Sequence, residues 1–221
     1  MASLEQLLAI RTTAVDTKEI QIYDVLVPAA LEAKLSALVK RPIWQYGWRS
    51  NSKLDRFCFW HAHFAGGDEN SRTSCEASLD INPELAPIRE YWQLLKRTHL
   101  AGHEPLRVYA NSHTYGVEGY VHVDNNDPDN YFTTVYYAHP TWERNWAGET
   151  VFYRRDRDEI IAAVYPKPGR VITFRGDIPH AARGVSRECA ELRVSIVIKS
   201  HRKDLDDSVK SPKAPPRVRS R

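Results

Sequence analysis

Cysteine is scarce in this chain of 221 residues: there are three, Cys58, Cys75 and Cys189. They form no spaced motif and cannot all pair with one another, which excludes a fully paired disulfide framework and fits a reducing compartment. No apolar run approaches the ~20 residues of a membrane helix. The first residues also lack the basic and apolar regions of a secretory signal, so a cytoplasmic protein is expected. There is no internal repeat and no linker that would justify two domains. The length suits one domain with a sizeable core.

A net positive charge is absent from the body of the chain. The formal net charge is +3, yet residues 199–221 hold eight Lys or Arg against three Asp, a surplus of five, which leaves the first 198 residues at −2. The basic end, over 200–221, combines charge, proline and serine without periodicity and reads as a disordered, solvated tail. Neither nucleic acid nor a membrane is an expected partner. The sequence leaves the oligomeric state open.

What is present is a His-x-Asp pair, His122 and Asp124, answered 56 residues later by His180. On a strand, residues i and i+2 point to one face, so the pair can offer an imidazole nitrogen and a carboxylate oxygen to one ion. Two histidines and a carboxylate on one side of an octahedral ion leave the other positions open, as suits a non-haem Fe(II) centre that activates O2. Nine histidines make His-x-Asp a common accident. The context favours a site: Leu106 to Tyr109 and Tyr120 to Asp124 read as two strands around a turn containing Gly116 and Gly119. Turn formers from Asn125 to Asn130 then place Asp124 at a sheet rim.

Around His180, Pro168-Gly169 forms a turn, Val171 to Phe174 an apolar strand, and the following loop presents the histidine. In the apolar strand Leu192 to Ile198, Arg193 and Ser195 share one face. A guanidinium fork with an adjacent hydroxyl can hold the remote carboxylate of a dicarboxylic keto acid. The competing reading is an arginine that faces solvent or pairs with an internal acid.

From about Leu106 to Lys199 the sequence resembles the Fe(II)/2-oxoglutarate-dependent dioxygenases of the prolyl hydroxylase-like branch. The resemblance rests on Val-Tyr-Ala-Asn before the dyad, Gly-Tyr-Val-His-Val-Asp-Asn at the dyad and Thr133 to Tyr137. It continues through Trp146 to Phe152, Pro166 to Phe174, His180 and Arg193-Val194-Ser195, all in the family's order. It implies Fe(II) on His122, Asp124 and His180, with 2-oxoglutarate and O2 as co-substrates and ascorbate as a stimulant. It also implies that Arg193 with Ser195 anchors the far carboxylate, assisted by Tyr137, or by Tyr136 if the register slips by one. Tyr109 and Thr133 match pocket-lining positions, and Asn111 shares the face of Tyr109. Asp124 speaks against halogenation. Lys199, where the nucleic-acid-dealkylating branch has a second arginine, speaks against repair. Ala147 stands where the family commonly has glycine, and Arg183 to Glu191 makes a longer connection than in close prolyl hydroxylase relatives.

The expected fold is mainly β with flanking helices: a double-stranded β-helix, or jelly roll, over 104–199 buttressed by α-helices within 1–103. Helices are expected from Ser3 to Ile10, from Pro28 to Lys40 with Leu31, Leu35 and Leu38 on one face, and from Asn82-Pro83 to about His99. Between them lies an aromatic stretch from Trp44 to Phe64. Arg49, Trp60 and His63 are expected near a substrate mouth, with Trp142 and Trp146 on its other side, which suggests a substrate with apolar surface. His61 and His63 as a second metal pair rank lower, because no further ligand follows at a useful spacing. Residues 125–130 and 66–74 are the candidate lids. Three functions remain in view: oxidation of an amino acid or other small metabolite, peptidyl hydroxylation, and a non-catalytic metal-binding jelly roll.

Overall fold

The computed structural model describes residues 19–51, 54–68, 71–155 and 159–203. The helix expected over 3–10 and the tail from residue 204 lie outside these residues. The described strands form two antiparallel sheets. The larger contains β1 (Ile20–Tyr23), β2 (Gln45–Trp48), β3 (Phe59–Gly66), β4 (His103–His113), β5 (Tyr131–Tyr137), β8 (Val171–Arg175) and β10 (Arg193–Arg202), in the order β1-β8-β5-β10-β4-β3-β2. The smaller has β6 (Thr150–Tyr153) between β7 (Ile160–Val164) and β9 (His180–Ala182). This is the expected mainly β, jelly-roll type of fold.

Period-two patterning fixes which face of the large sheet each residue serves. Val108 and Ala110 on β4, Tyr136 on β5, and Val194, Ile196 and Ile198 on β10 belong to the core on the helical side. Tyr109, Val135, Tyr137 and Val197 belong to the opposite core, which also includes Phe152. Arg193, Ser195 and Lys199 share the parity of Val197 and are therefore carried inside.

Three helices cover the first face. α1 (Ala29–Val39) follows Pro28, whose fixed φ suits a helix entry, and buries Leu31, Leu35, Leu38 and Val39. The helix expected from Asn82 divides into a 3-10 turn, Pro83–Leu85, and α3 (Ala86–Thr98), because the Asn82 side chain accepts from Glu84 N and tightens the first turn. α3 buries Ile88, Tyr91, Trp92, Leu94 and Leu95, each worth about 1.5–3 kcal/mol of apolar transfer. A short α2 (Glu76–Ile81), absent from the expectation, seats Leu79 in the same core. No helix among the described residues is long and apolar enough to cross a membrane.

Two expectations change. β4 is longer than the strand read at 106–109 and pairs with β3 and β10, not with residues 120–124. Residues 120–124 are extended but form no regular strand. They hold to the smaller sheet through an isolated bridge between His122 and His180, because the turn formers from Asn125 onward stop the pairing. β10 also runs through Arg202, three residues past the boundary read at 199.

Candidate active site

The bridge that replaces the expected strand builds the site. His122 N donates to His180 O at 3.1 Å and His180 N to His122 O at 2.9 Å. Such a reciprocal pair brings the two residues directly opposite each other, and their ring centroids lie 4.6 Å apart. Asp124 follows two residues on, fixed by Asp124 N donating to Gly176 O at 2.8 Å. Val121 and Val123 turn outward. One ligand atom from each of His122, Asp124 and His180 lies within 4.8 Å of the others.

The hydrogen bonds fix the tautomers. His122 Nδ1 lies 2.8 Å from Tyr120 O, and His180 Nδ1 lies 2.9 Å from Ile178 O. A carbonyl only accepts, so each Nδ1 carries a proton and each Nε2 is the ring atom turned toward Asp124, 3.5 Å from a carboxylate oxygen in both cases. Burial holds the His180 pKa down to about 4 against the pull of Asp124. For His122 burial is outweighed by Asp124 and the value rises. Burial opposes charge on Asp124 too, but Lys199 and both histidines hold its carboxyl well below the usual range. Two imidazoles and an ionised carboxylate fit a divalent first-row metal with one coordination face left free.

The carboxylate has partners of its own. Thr133 Oγ1 donates to Asp124 Oδ2 at 2.6 Å and accepts from Lys199 Nζ at 3.1 Å, while Lys199 is ion-paired with the same Oδ2. Lys199 is 7% exposed, so this is a buried pair.

A cavity of about 540 Å³ runs from the triad to Arg193, lined by Tyr109, Asn111, His113, Thr133, Thr150 and Ser195 among others. Arg193 is 2% exposed. Its Nε donates to Gly148 O at 2.5 Å and its Nη2 to Thr150 Oγ1 at 3.0 Å, while Nη1 lies 3.5 Å from His113 Nδ1. Every one of these partners is neutral, and among the described residues no carboxylate is ion-paired with Arg193. A buried cation held this way calls for an anion. Tyr137 stands beside it, its hydroxyl 2.7 Å from Thr150 Oγ1. Tyr136 belongs to the helical face, so the register does not slip.

A second cavity of about 600 Å³ opens on the other side of the triad, lined by Trp48, Asp68, Arg107, Tyr109, Asp124, Tyr131 and Lys199 among others. The residues expected at a substrate mouth divide. Asn111 lines the inner cavity, with its Oδ1 2.9 Å from His61 Nδ1. Trp60 pairs with Ser112 next to Ala62 and Ala110, and so sits on the helical face, away from the triad. Arg49 and His63 are exposed. Trp142 and Trp146 pack against each other behind Arg193, where a Cβ on Gly148 would meet Trp142 and Arg193 at 3.1 Å each. Both cavities contain Lys199, which sequence reasoning did not place here; its parity with Arg193 and Ser195 was the available signal.

The fold and the His-Asp-His group are of the kind found in 2OG-Fe(II) oxygenases. Residues 108–198 match the model of the 2OG-Fe(II) oxygenase superfamily, and that segment belongs to it. Fe(II), 2-oxoglutarate and O2 are the cofactor and co-substrates this membership carries. No curated protein gives a significant match. The chain's fold is similar to that of an oxidoreductase of the 2OG-Fe(II) oxygenase family from Burkholderia pseudomallei, at 18% identity and TM-score 0.65 over 91% of this chain and 92% of that one. It is also similar to a prolyl hydroxylase from Trichoplax adhaerens in complex with a peptide fragment of the hypoxia inducible factor oxygen degradation domain. There the values are 15% identity and TM-score 0.60 over 90% of each chain. A Pseudomonas putida prolyl-4-hydroxylase follows at 17% and 0.58, covering 89% of this chain and 99% of that one.

Proposed function

We propose that the protein is a dioxygenase that hydroxylates an unactivated C–H bond of a small molecule such as an amino acid or related metabolite. The reaction consumes O2 and 2-oxoglutarate and releases succinate and CO2. The observation that carries the reading is Arg193, a buried cation with only neutral hydrogen-bond partners at the far end of a cavity that begins at the triad.

His122, Asp124 and His180 would hold Fe(II) through the two Nε2 atoms and one carboxylate oxygen. When bound there, the metal supplies O2 activation coupled to oxidative decarboxylation of the keto acid. Arg193 would take the remote carboxylate of 2-oxoglutarate by two N–H bonds, with Ser195 and Tyr137 beside it. Thr133 orients Asp124 by its hydrogen bond. The apolar residues Val135, Phe174 and Val197 in the cavity wall exclude water from the reacting atoms. The outer cavity, which the triad residues His122 and Asp124 also line, would take the substrate.

A peptidyl hydroxylase is the second reading, favoured by the exposed aromatic edge of Tyr46 and Trp48 on β2. Anaerobic titration of the metal-free protein with Fe(II) and then 2-oxoglutarate tests the shared chemistry. The expected result is the visible charge-transfer band of a chelated keto acid, lost in Asp124→Ala. Its absence in folded protein that binds iron would replace both readings with a non-catalytic one. Succinate release with free amino acids against blocked peptides then separates the first reading from the second.

A further inference from the structure

Arg107 is the least explained charge of the outer cavity. Its guanidinium carbon lies 4.9 Å from the ring centre of Trp48 and 4.8 Å from that of Tyr109, so the group is held between two aromatic rings. Its Nε is buried and has no hydrogen-bond partner. Aromatic contact holds a guanidinium in place through its π face and leaves its N–H edge available, which is the geometry that grips a carboxylate with two parallel bonds.

A second observation comes from the sheet register. Arg107 on β4 stands directly opposite Lys199 on β10, and both line this cavity. Like charges opposite each other on neighbouring strands cost stability, and here the lysine is also removed from water. Asp124 answers Lys199, but Asp124 is also a ligand of the triad. Among the described residues no ion pair answers Arg107. Asp68 and Asp124 line the same cavity, but Asp124 is paired with Lys199 and no ion pair joins Asp68 to Arg107 among the described residues, so the arginine with its orphaned donor describes a site for an anion.

We propose that Arg107, clamped between Trp48 and Tyr109, binds the carboxylate of the substrate and that Lys199 adds to the positive field there. The substrate class is a small molecule with a free carboxylate, an unblocked α-amino acid in the simplest case. Its apolar body lies against Tyr131 and Trp48, directed at the triad that bounds the same cavity. This rests on the oxygenase reading and adds to it the group by which the substrate is chosen. Arg193 serves the co-substrate from the other cavity, so the two arginines divide two carboxylates between them.

The test measures succinate release with Fe(II), 2-oxoglutarate and each of the twenty free L-α-amino acids, and in parallel with their primary amides. At least one free acid is expected to raise turnover above the substrate-free background, with its amide at least tenfold poorer in kcat/KM. Arg107→Gln is expected to raise KM for that acid at least tenfold, to change kcat less than threefold, and to bring the acid-to-amide ratio close to one. Arg107→Lys, which keeps the charge without the fork, should fall between the two and carries the test if the glutamine variant does not fold. The inference is overturned if no free amino acid stimulates turnover, if amides or blocked peptides serve as well, or if the Arg107 variants keep the discrimination. In each of those cases the charge-transfer band with Fe(II) and 2-oxoglutarate still forms. Its absence in the parent protein instead removes the oxygenase reading and this inference with it.

Discussion

Lys199 is ion-paired with Asp124, so the carboxylate of the triad is matched by a buried cation from β10. The pair is linked again through Thr133, which donates to the carboxylate and accepts from the ammonium. A divalent ion bound to Asp124 therefore meets a positive charge already in contact with its ligand. Lys199 supports the metal-free fold and opposes the metal.

Replacing Lys199 by Met should move those two properties in opposite directions. Breaking one side of a buried pair costs about 3–5 kcal/mol, because the remaining charge is left without its partner. Thermal unfolding of metal-free Lys199→Met should thus occur well below the parent protein. Affinity for a divalent ion, read by calorimetric titration with Mn(II), should rise. Unchanged metal affinity would mean that Lys199 moves away from Asp124 when the ion binds.

Arg193→Lys should act on the co-substrate alone. The lysine keeps the charge but cannot bond Gly148 O, Thr150 and a carboxylate at once from one fork. KM for 2-oxoglutarate should rise at least tenfold, which is about 1.4 kcal/mol, with a smaller change in kcat. A steady-state titration of 2-oxoglutarate at saturating Fe(II) measures it. An unaltered KM would place the keto acid elsewhere.

Much of this was legible in the sequence because it follows from period two. Parity put Arg193 with Ser195 and Tyr109 with Asn111, the family resemblance put both pairs at one pocket, and the helical faces of Leu31, Leu35 and Ile88 were readable from their spacing. The hairpin at 106–124 was not, because local propensity gives an extended segment without saying which strand it pairs with. His122 found its partner in His180, 58 residues away. Trp60 illustrates the same limit. An aromatic run marks a cluster, but only the pairing with Ser112 shows which side of the sheet each ring takes.

Ala147 has φ 55° and ψ −140°, a conformation suited to glycine, immediately before the Gly148 carbonyl that receives Arg193. Its own carbonyl accepts from Trp142 Nε1 at 2.9 Å, so the strained backbone is pinned from both sides. Strain of this kind costs on the order of 1–3 kcal/mol, and the extra freedom of an unfolded glycine returns roughly 0.5–1 kcal/mol of that. Ala147→Gly should stabilise the protein by about 1 kcal/mol in urea unfolding. A loss of stability would show that the alanine methyl contributes packing that outweighs the strain.

Six histidines outside the triad make stability depend on pH. Burial pulls His61, His99, His103 and His139 down to about 4 and, with the Arg193 charge, His113 to about 3, and it lowers His63 as well. Their unfolded values lie near 6.5, so below that pH the unfolded chain takes up protons that the folded protein refuses. Stability is therefore fully present above about pH 6.5 and falls as pH drops toward 4, by up to roughly 1.4 kcal/mol per pH unit for each buried group. Asp24 behaves differently. The hydrogen bonds and charges of Arg170 and Lys167 outweigh burial and lower its pKa to about 2, so its contribution is lost only as pH falls from about 4 toward 2. Urea unfolding of metal-free protein from pH 7.5 to 4.5 should show the histidine slope. His99→Gln, which can keep the bond now made by His99 Nε2 to Thr173 Oγ1 at 2.9 Å, should flatten that slope by about one proton while leaving the acid limb of Asp24 in place. A slope that does not change would mean that His99 is charged in the folded state.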